Sequence, residues 1–393
     1  MTVLLLLLFL GGISFFIPQK RIKIYFVFSA IAISLMFLFY EPSPLDDLHR
    51  YYDLFDTVKH LSLSEYIDGN YGTQDWLINH MLNDYRQNSF LFMHIMFVIS
   101  RTGIKELMPV FFSLITYIPL FMLVYDVCKD NKYSKTTMCF CFILILAGID
   151  FRFASCLRNL SSYSIFAYTL YLDTVKKTKW YWCIIGYVAA CGIHMACLPL
   201  IMLRLVAIII SGRLKWPVAA CLLFTRRLAL LFASLANTFL GGNSFISSFA
   251  NKIENYFLGR TEYNNNGAIF FCAAILVLVI IYIAVKKDRS IPKEYKKYDA
   301  VYLYSAALTI GCIGQYDILL RNCQLLVMLS IPFVSHFINS RLIFAVDDIK
   351  FVSPKRKLCR DMLVCCCFVG LVLASFLFYT LFSYIPIDKC FGN

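Results

Sequence analysis

The sequence predicts an all-α fold, a polytopic integral membrane protein of about twelve transmembrane helices forming a single membrane domain over residues 1–393. Three observations predict it. Of 393 residues, 60% are hydrophobic, 36 are Phe and only 16% are charged, where a soluble domain carries about 25% charged residues. Apolar runs recur from end to end, and a bilayer core about 30 Å thick takes roughly 20 apolar residues per helix. Charge is uneven as well. The chain carries +13, yet residues 41–88 hold nine acids against three bases, a net −6 that leaves +19 elsewhere. Membrane orientation responds to such asymmetry, and the pattern does not indicate a nucleic-acid partner.

The first run, 2–17, has no base before it and no small-residue cleavage site; Lys20, Arg21 and Lys23 follow it. It reads as a first helix with its N-terminus outside rather than as a cleaved signal peptide. Basic clusters at 20–23, 176–179, 286–297 and 341–360 read as cytoplasmic, so an even number of crossings must join any two. Runs at 22–40, 107–126, 137–150 and 160–173 join the first pair. Runs at 180–194, 196–211, 217–240 and 267–285 join the second, and 299–315 and 322–338 the third. Arg226 and Arg227 interrupt the run 217–240. A mid-membrane charge costs about 2.5–3.5 kcal/mol, so residues 216–227 are expected at the inner interface, with a short helix starting at Leu228. The run 89–100 contains His94 and is too short to span; it is expected to be re-entrant or interfacial. Leaving it out preserves the parity and places both termini outside. Residues 41–88 then form a large outer loop and 241–266 a second one.

Most of the sixteen cysteines lie inside apolar runs, among them Cys139, Cys141, Cys272 and Cys365 to Cys367. They read as small apolar fillers, since no zinc spacing or disulfide framework is present. No Gly-rich phosphate loop, HExxH or GxSxG occurs. Nucleotide-driven chemistry is therefore not expected in this chain.

The parity argument brings Arg152, Arg158, His194 and Arg321 to outer helix ends, beside the loop 41–88. In "GIDFRFASCLRNLSSYSIF", residues 148–166, Asp150 accompanies the two arginines, and Asn159, Ser161 and Ser162 follow Arg158. Ionisable residues at membrane depth usually face a bundle interior or a cavity, so these polar neighbours are expected to line a hydrated wall. A guanidinium suits phosphate because its planar fork donates in pairs and keeps its charge. Arg158 and Arg321 are therefore the candidate clamp for a diphosphate, with Arg152 assisting. His194 is a candidate proton acceptor. Asp46, Asp47, Arg50 and Tyr51 crowd the start of the first loop, followed by Tyr66, Tyr71, Trp76 and Tyr85; the second loop holds Tyr256 and Arg260. Interleaved carboxylates and aromatic rings suit sugars, the acids accepting from hydroxyls and the rings packing on apolar sugar faces.

Four stretches carry a resemblance: "DLHRYYDLF" after the second helix, "LRNLSSYSIFAYTLYL", "CGIHMACLPL" and "LLRNCQLLVMLSIP". In that order they resemble the EpsG-like branch of the Wzy-type polysaccharide polymerases. That family often has an Arg and a Gly before the loop Asp, where this chain has Glu41, Pro42 and Pro44. The resemblance implies a multi-pass glycosyltransferase of the bacterial inner membrane with its active site facing the periplasm or outside. It would join polyprenyl-diphosphate-linked glycan repeat units without a nucleotide sugar, a metal or a cofactor. Its partners would be those lipid-linked glycans, membrane lipids, a chain-length regulator and a flippase. Arg158, Arg321, His194 and Asp47 would be catalytic, with His194 or Asp47 as the base. Arg152, Asp46, Arg50, Tyr51, Tyr256 and Arg260 would bind substrate. An O-antigen-ligase-like transferase, a lipid-linked oligosaccharide flippase and a membrane acyltransferase are the competing readings.

Overall fold

The computed structural model describes residues 2–42, 47–69, 71, 76–148, 156–240, 250, 254, 265–287, 293–313 and 315–343. Regular structure among them is entirely helical. The chain divides into two compact units, Met1–Leu198 with Ile331–Asn393, and Pro199–Ser330.

The first unit is built on long apolar helices: α1 (Thr2–Ser14), α2 (Ile22–Leu35), α7 (Leu107–Asp130), α8 (Lys135–Gly148), α9 (Leu157–Thr174) and α10 (Trp180–Ile193). Their directions follow from side-chain pairs. Ser34 meets Ser113 at 3.0 Å while Phe26 packs on Phe121, so α2 and α7 run antiparallel. Phe26, Phe121 and Phe142 interlock, with Phe26 stacked on Phe142 at 4.5 Å. All three are fully buried and pin α2, α7 and α8 together.

Helices α7 and α9 run parallel. Ser161 donates to the Phe112 carbonyl at 2.9 Å, Ser164 to the Thr116 carbonyl, and further along Tyr168 donates to Asp126 at 2.9 Å and Tyr171 to Asp130 at 2.9 Å. Small hydroxyl residues let two backbones approach and satisfy themselves on the neighbour's carbonyls. Ser161 and Ser162 are thus buried in packing, Ser162 bonding the Asn159 carbonyl, and are not the hydrated wall expected beside Arg158.

Four shorter helices gather between α2 and α7: α3 (Asp47–Lys59), α4 (Leu63–Asp68), α5 (Trp76–Asn88) and α6 (Phe90–Ser100). Helix α3 is amphipathic, burying Leu48, Tyr51, Tyr52, Phe55 and Val58 at helical spacing. Asp47 in its first turn and Lys59 in its last complement the macrodipole. The Arg101 guanidinium closes its C-terminus, donating to the carbonyls of Val58 at 3.2 Å and Leu61 at 2.7 Å. Helix α6 has 11 residues, about 16 Å of rise. That is too short for a crossing, in line with leaving 89–100 out of the parity count.

The second unit contains α12 (Lys215–Leu222), α13 (Thr225–Leu240), α14 (Asn265–Lys287) and α15 (Lys296–Gly311). It also takes in most of α11 (Cys197–Ile209) and α16 (Tyr316–Phe337). Helices α12 and α13 meet at a 74° bend. A Cβ on Gly311 would lie 2.5 Å from the Leu222 carbonyl oxygen and 3.0 Å from that of Leu223, so only glycine admits this close approach. The expected short helix from Leu228 is corrected: α13 starts at Thr225 and carries Arg226 and Arg227 in its first turn, both exposed. Asp299, 1% exposed, ties three helix ends together. It accepts from Lys215, from Lys286 at 3.1 Å and from the Tyr282 hydroxyl at 2.7 Å.

Among the described residues, three helical stretches are long and apolar enough to cross a membrane: Gln19–Phe39, Leu107–Asp130 and Ile318–Ser340. The bent α12–α13 pair would make a fourth. Phe90–Ser100, Lys135–Leu146, Trp180–Ile193 and Cys197–Ile209 are apolar but shorter. The expected count of twelve is therefore not reached; several runs form helices shorter than a bilayer needs, and 344–393 lies outside the described residues. What stands is a helical chain with membrane-compatible segments. Large apolar side chains point away from the protein along α10 (Trp180, Trp182, Ile185, Val188) and α14 (Leu276, Val277, Ile280, Ile283).

Candidate functional site

Arg158 is the second residue of α9. Its Nε donates to the Tyr51 hydroxyl at 2.9 Å, and its Nη1 makes a longer bond of 3.4 Å to Ser89 Oγ. The guanidinium carbon lies 4.0 Å from the Tyr85 ring centroid, and 5.3 Å from those of Tyr51 and Phe92. Tyr51, Tyr85 and Phe92 contact one another edge-on, forming an aromatic cradle from α3, α5 and α6. Ring faces attract a partly desolvated cation by roughly 1–2 kcal/mol. Nη2 makes no hydrogen bond among the described residues.

Asp47, at the start of α3, lies 3.6 Å from Arg50, and its charge is felt at Tyr51 and Tyr85. Burial pushes the Tyr51 phenol well above its ordinary value; Arg158 opposes this while Asp47 and Tyr85 add to it. Burial likewise raises Tyr85, again against Arg158. Both phenols stay neutral at physiological pH, so the cradle holds a cation without neutralising it.

His194 caps α10 in extended backbone, its N–H bonded to the Ala190 carbonyl at 3.0 Å and its own carbonyl receiving the Cys197 N–H at 3.1 Å. Helix α10 runs antiparallel to α9, since Tyr187 donates to Asp173 at 2.9 Å while Cys197 comes within reach of Ser162. A Cβ on nearby Gly192 would lie 2.7 Å from the Phe90 ring. His194 therefore stands at the same end of the first unit as Arg158 and Ser89.

The fold thus brings Arg158, Asp47, Arg50 and Tyr51 together and adds His194 at the same end. Arg321 belongs to the second unit, half-buried on α16. Arg152, Asp46, Tyr256 and Arg260 lie outside the described residues. Tyr66 and Tyr71, expected as open sugar platforms, are buried; Tyr66 stacks on Phe97 at 4.1 Å. Ser89 and Phe92 were missed because 89–100 was read only for its place relative to the membrane, as a re-entrant or interfacial segment. Their signal was an apolar helix following directly on the polar loop.

Among the described residues no group of three His, Cys, Asp or Glu could hold a metal ion. No family model, curated protein or solved structure matches this chain. Fold and site together define a helical protein with membrane-compatible segments and a cation held by neutral aromatic groups at one end of its first unit.

Proposed function

We propose that this chain is a membrane glycosyltransferase that polymerises polyprenyl-diphosphate-linked oligosaccharide repeat units into a surface polysaccharide at the outer face of the bacterial inner membrane. The observation that carries the reading is Arg158, fixed by Tyr51, Ser89 and Tyr85, with guanidinium donors that no described residue takes up. Lys23, Lys129 and Lys176 lie at the opposite ends of α2, α7 and α9. That supports an outward-facing Arg158 under the positive-inside rule. In this reading the chain crosses the membrane several times, with Arg158 on the outer side.

An acceptor sugar hydroxyl attacks the anomeric carbon of the growing glycan. The bond from that carbon to the diphosphate oxygen breaks, its electron pair stays on the lipid diphosphate, and the hydroxyl proton passes to Asp47 or His194. Arg158 binds the diphosphate oxygens more strongly as their charge grows, which is binding that lowers the barrier. Arg321, in the second unit, enters the reading through the family resemblance alone.

Deleting the gene tests the reading. The expected result is surface glycan reduced to single repeat units. Loss of all surface glycan with lipid-linked units retained inside would instead identify a flippase. Repeat units left on their carrier, with none on the final acceptor, would identify a ligase-like transferase.

A further inference from the structure

The opposite end of the first unit carries a cavity of about 350 Å³ lined by Gln19, Tyr125, Cys128, Lys129, Lys132, Tyr133 and Met138. That volume is within the range of small-ligand sites, roughly 300–1,000 Å³. We infer that it is a second anion site, one that takes a phosphate ester, independent of the glycosyltransferase reading.

Charge is the first argument. Lys129 lies over the Tyr125 ring at 5.6 Å, and Lys23 lies over the same ring at 5.7 Å. Lys132 joins them through a tight turn, its N–H bonded to the Lys129 carbonyl at 3.1 Å and its backbone held at φ 56°. A left-handed lysine is uncommon, and here it sets a second ammonium on the rim. None of these three lysines has an ion pair among the described residues. None of the seven lining residues is acidic. Asp126 and Asp130 on the same helix are engaged elsewhere, by Lys176 at 3.0 and 3.5 Å and by the hydroxyls of Tyr168 and Tyr171. Like charges gathered with no ion pair of their own among the described residues repel, and a bound anion lowers that cost.

Shape is the second argument. The buried side chains of Cys128 and Met138 give the cavity an apolar floor. Tyr133, bonded to His336 Nδ1 at 2.8 Å, and Tyr125 give it aromatic walls. A cationic rim over an apolar floor fits an anionic head attached to an uncharged body. Lysine binds phosphate as a mobile point charge, and several lysines can share the oxygens of one phosphate ester.

Such an ester comes either as a phospholipid headgroup or as a soluble phosphate compound. The test places the protein in phosphatidylcholine nanodiscs with and without phosphatidylglycerol and reads retained lipid by native mass spectrometry. Glycerol phosphate is titrated separately against lipid-depleted protein in detergent. Wild type should bind one of these probes, and K129Q/K132Q should bind it roughly thirtyfold more weakly, at about 1 kcal/mol per lysine. K129R/K132R should bind like wild type. Selective retention of phosphatidylglycerol assigns the headgroup, and binding of glycerol phosphate alone assigns the soluble ester. Indistinguishable behaviour of wild type and K129Q/K132Q toward both probes overturns the site. Both lysines are exposed, so the glutamine variant keeps its fold, which its unfolding temperature verifies.

Discussion

Two buried cation sites in this molecule are solved in opposite ways. In the second unit, Lys215 and Lys286 share Asp299, with Tyr282 filling a further acceptor position on the carboxylate. In the first, Arg158 rests against Tyr51, Tyr85, Phe92 and Ser89, and among the described residues the groups that hydrogen-bond to it or lie under it are neutral. Both ammonium groups are tied to the one Asp299 carboxylate, so the lysines are committed to holding helix ends together. Phenols and ring faces stabilise a guanidinium while leaving its charge in place. The difference separates a structural cation from one available to a ligand.

The largest effect should come from the structural site. Asp299→Ala leaves two lysine ammonium groups facing each other in a buried setting. Breaking a buried charge pair from one side costs about 3–5 kcal/mol. Thermal unfolding in detergent should show a large drop for Asp299→Ala, with little effect on the local fold of the Arg158 cradle. An unchanged unfolding temperature would mean that the carboxylate is not what secures those helices, and the contrast would collapse.

Arg158 should respond in the reverse manner. Arg158→Ala should lower chain extension roughly 10²–10³-fold, the scale of losing one charge-stabilising donor, with an unfolding temperature close to wild type. Arg158→Lys should recover little, because an ammonium cannot donate in the planar paired geometry. Extension is read on purified protein in proteoliposomes supplied with a lipid-linked repeat unit. A drop in unfolding temperature for Arg158→Ala as large as that of Asp299→Ala would make Arg158 structural too.

The contrast also explains what the sequence revealed. Arg158, Asp47, Arg50 and Tyr51 stood out because ionisable groups in or beside apolar runs are costly and therefore informative. All-helical structure was legible for the same reason, from the length of the apolar runs. The Asp299 knot was not legible. Lys215 precedes Asp299 by 84 positions, Lys215 between two expected helices and Asp299 at the first position of another, so nothing in the sequence pairs them. Ser161 and Ser162 misled because a hydroxyl beside an arginine looks the same in sequence whether it meets water or a neighbouring carbonyl. Parallel packing of α7 on α9 decided between the two.

A smaller effect separates holding the guanidinium from binding the substrate. Tyr51→Phe keeps the ring under Arg158 but removes the hydroxyl that accepts from Nε. Hydrogen bonds to charged groups contribute about 1.5–3 kcal/mol. Chain extension should fall about tenfold, less than for Arg158→Ala, through looser positioning of the fork. Because burial raises the Tyr51 phenol, the wild-type rate should show no break from this group below its ordinary value near 10. A break in the pH–rate profile near neutrality that disappears in Tyr51→Phe would show that this phenol ionises during turnover.

The smallest effect lies at the surface of the same loop, where a carboxylate is neither buried nor paired with a cation. Ser62 and Glu65 form a capping box at the start of α4: Glu65 N–H donates to Ser62 Oγ at 3.2 Å, and Ser62 N–H donates to Glu65 Oε2 at 2.7 Å. The hydrogen bonds from Ser62 hold the Glu65 carboxyl below its ordinary value of 4.5. A depressed acid stabilises the fold above its unfolded value and loses that contribution as pH falls through the folded one. Amide exchange over residues 62–65 should therefore be pH-independent in protection from neutrality down to about 4.5, then lose protection below it. Ser62→Ala should bring that loss to higher pH and speed exchange a few-fold, leaving chain extension unchanged. Burial sets the ranking in this account, so a capping mutation that unfolded the protein as readily as Asp299→Ala would remove burial as the controlling variable.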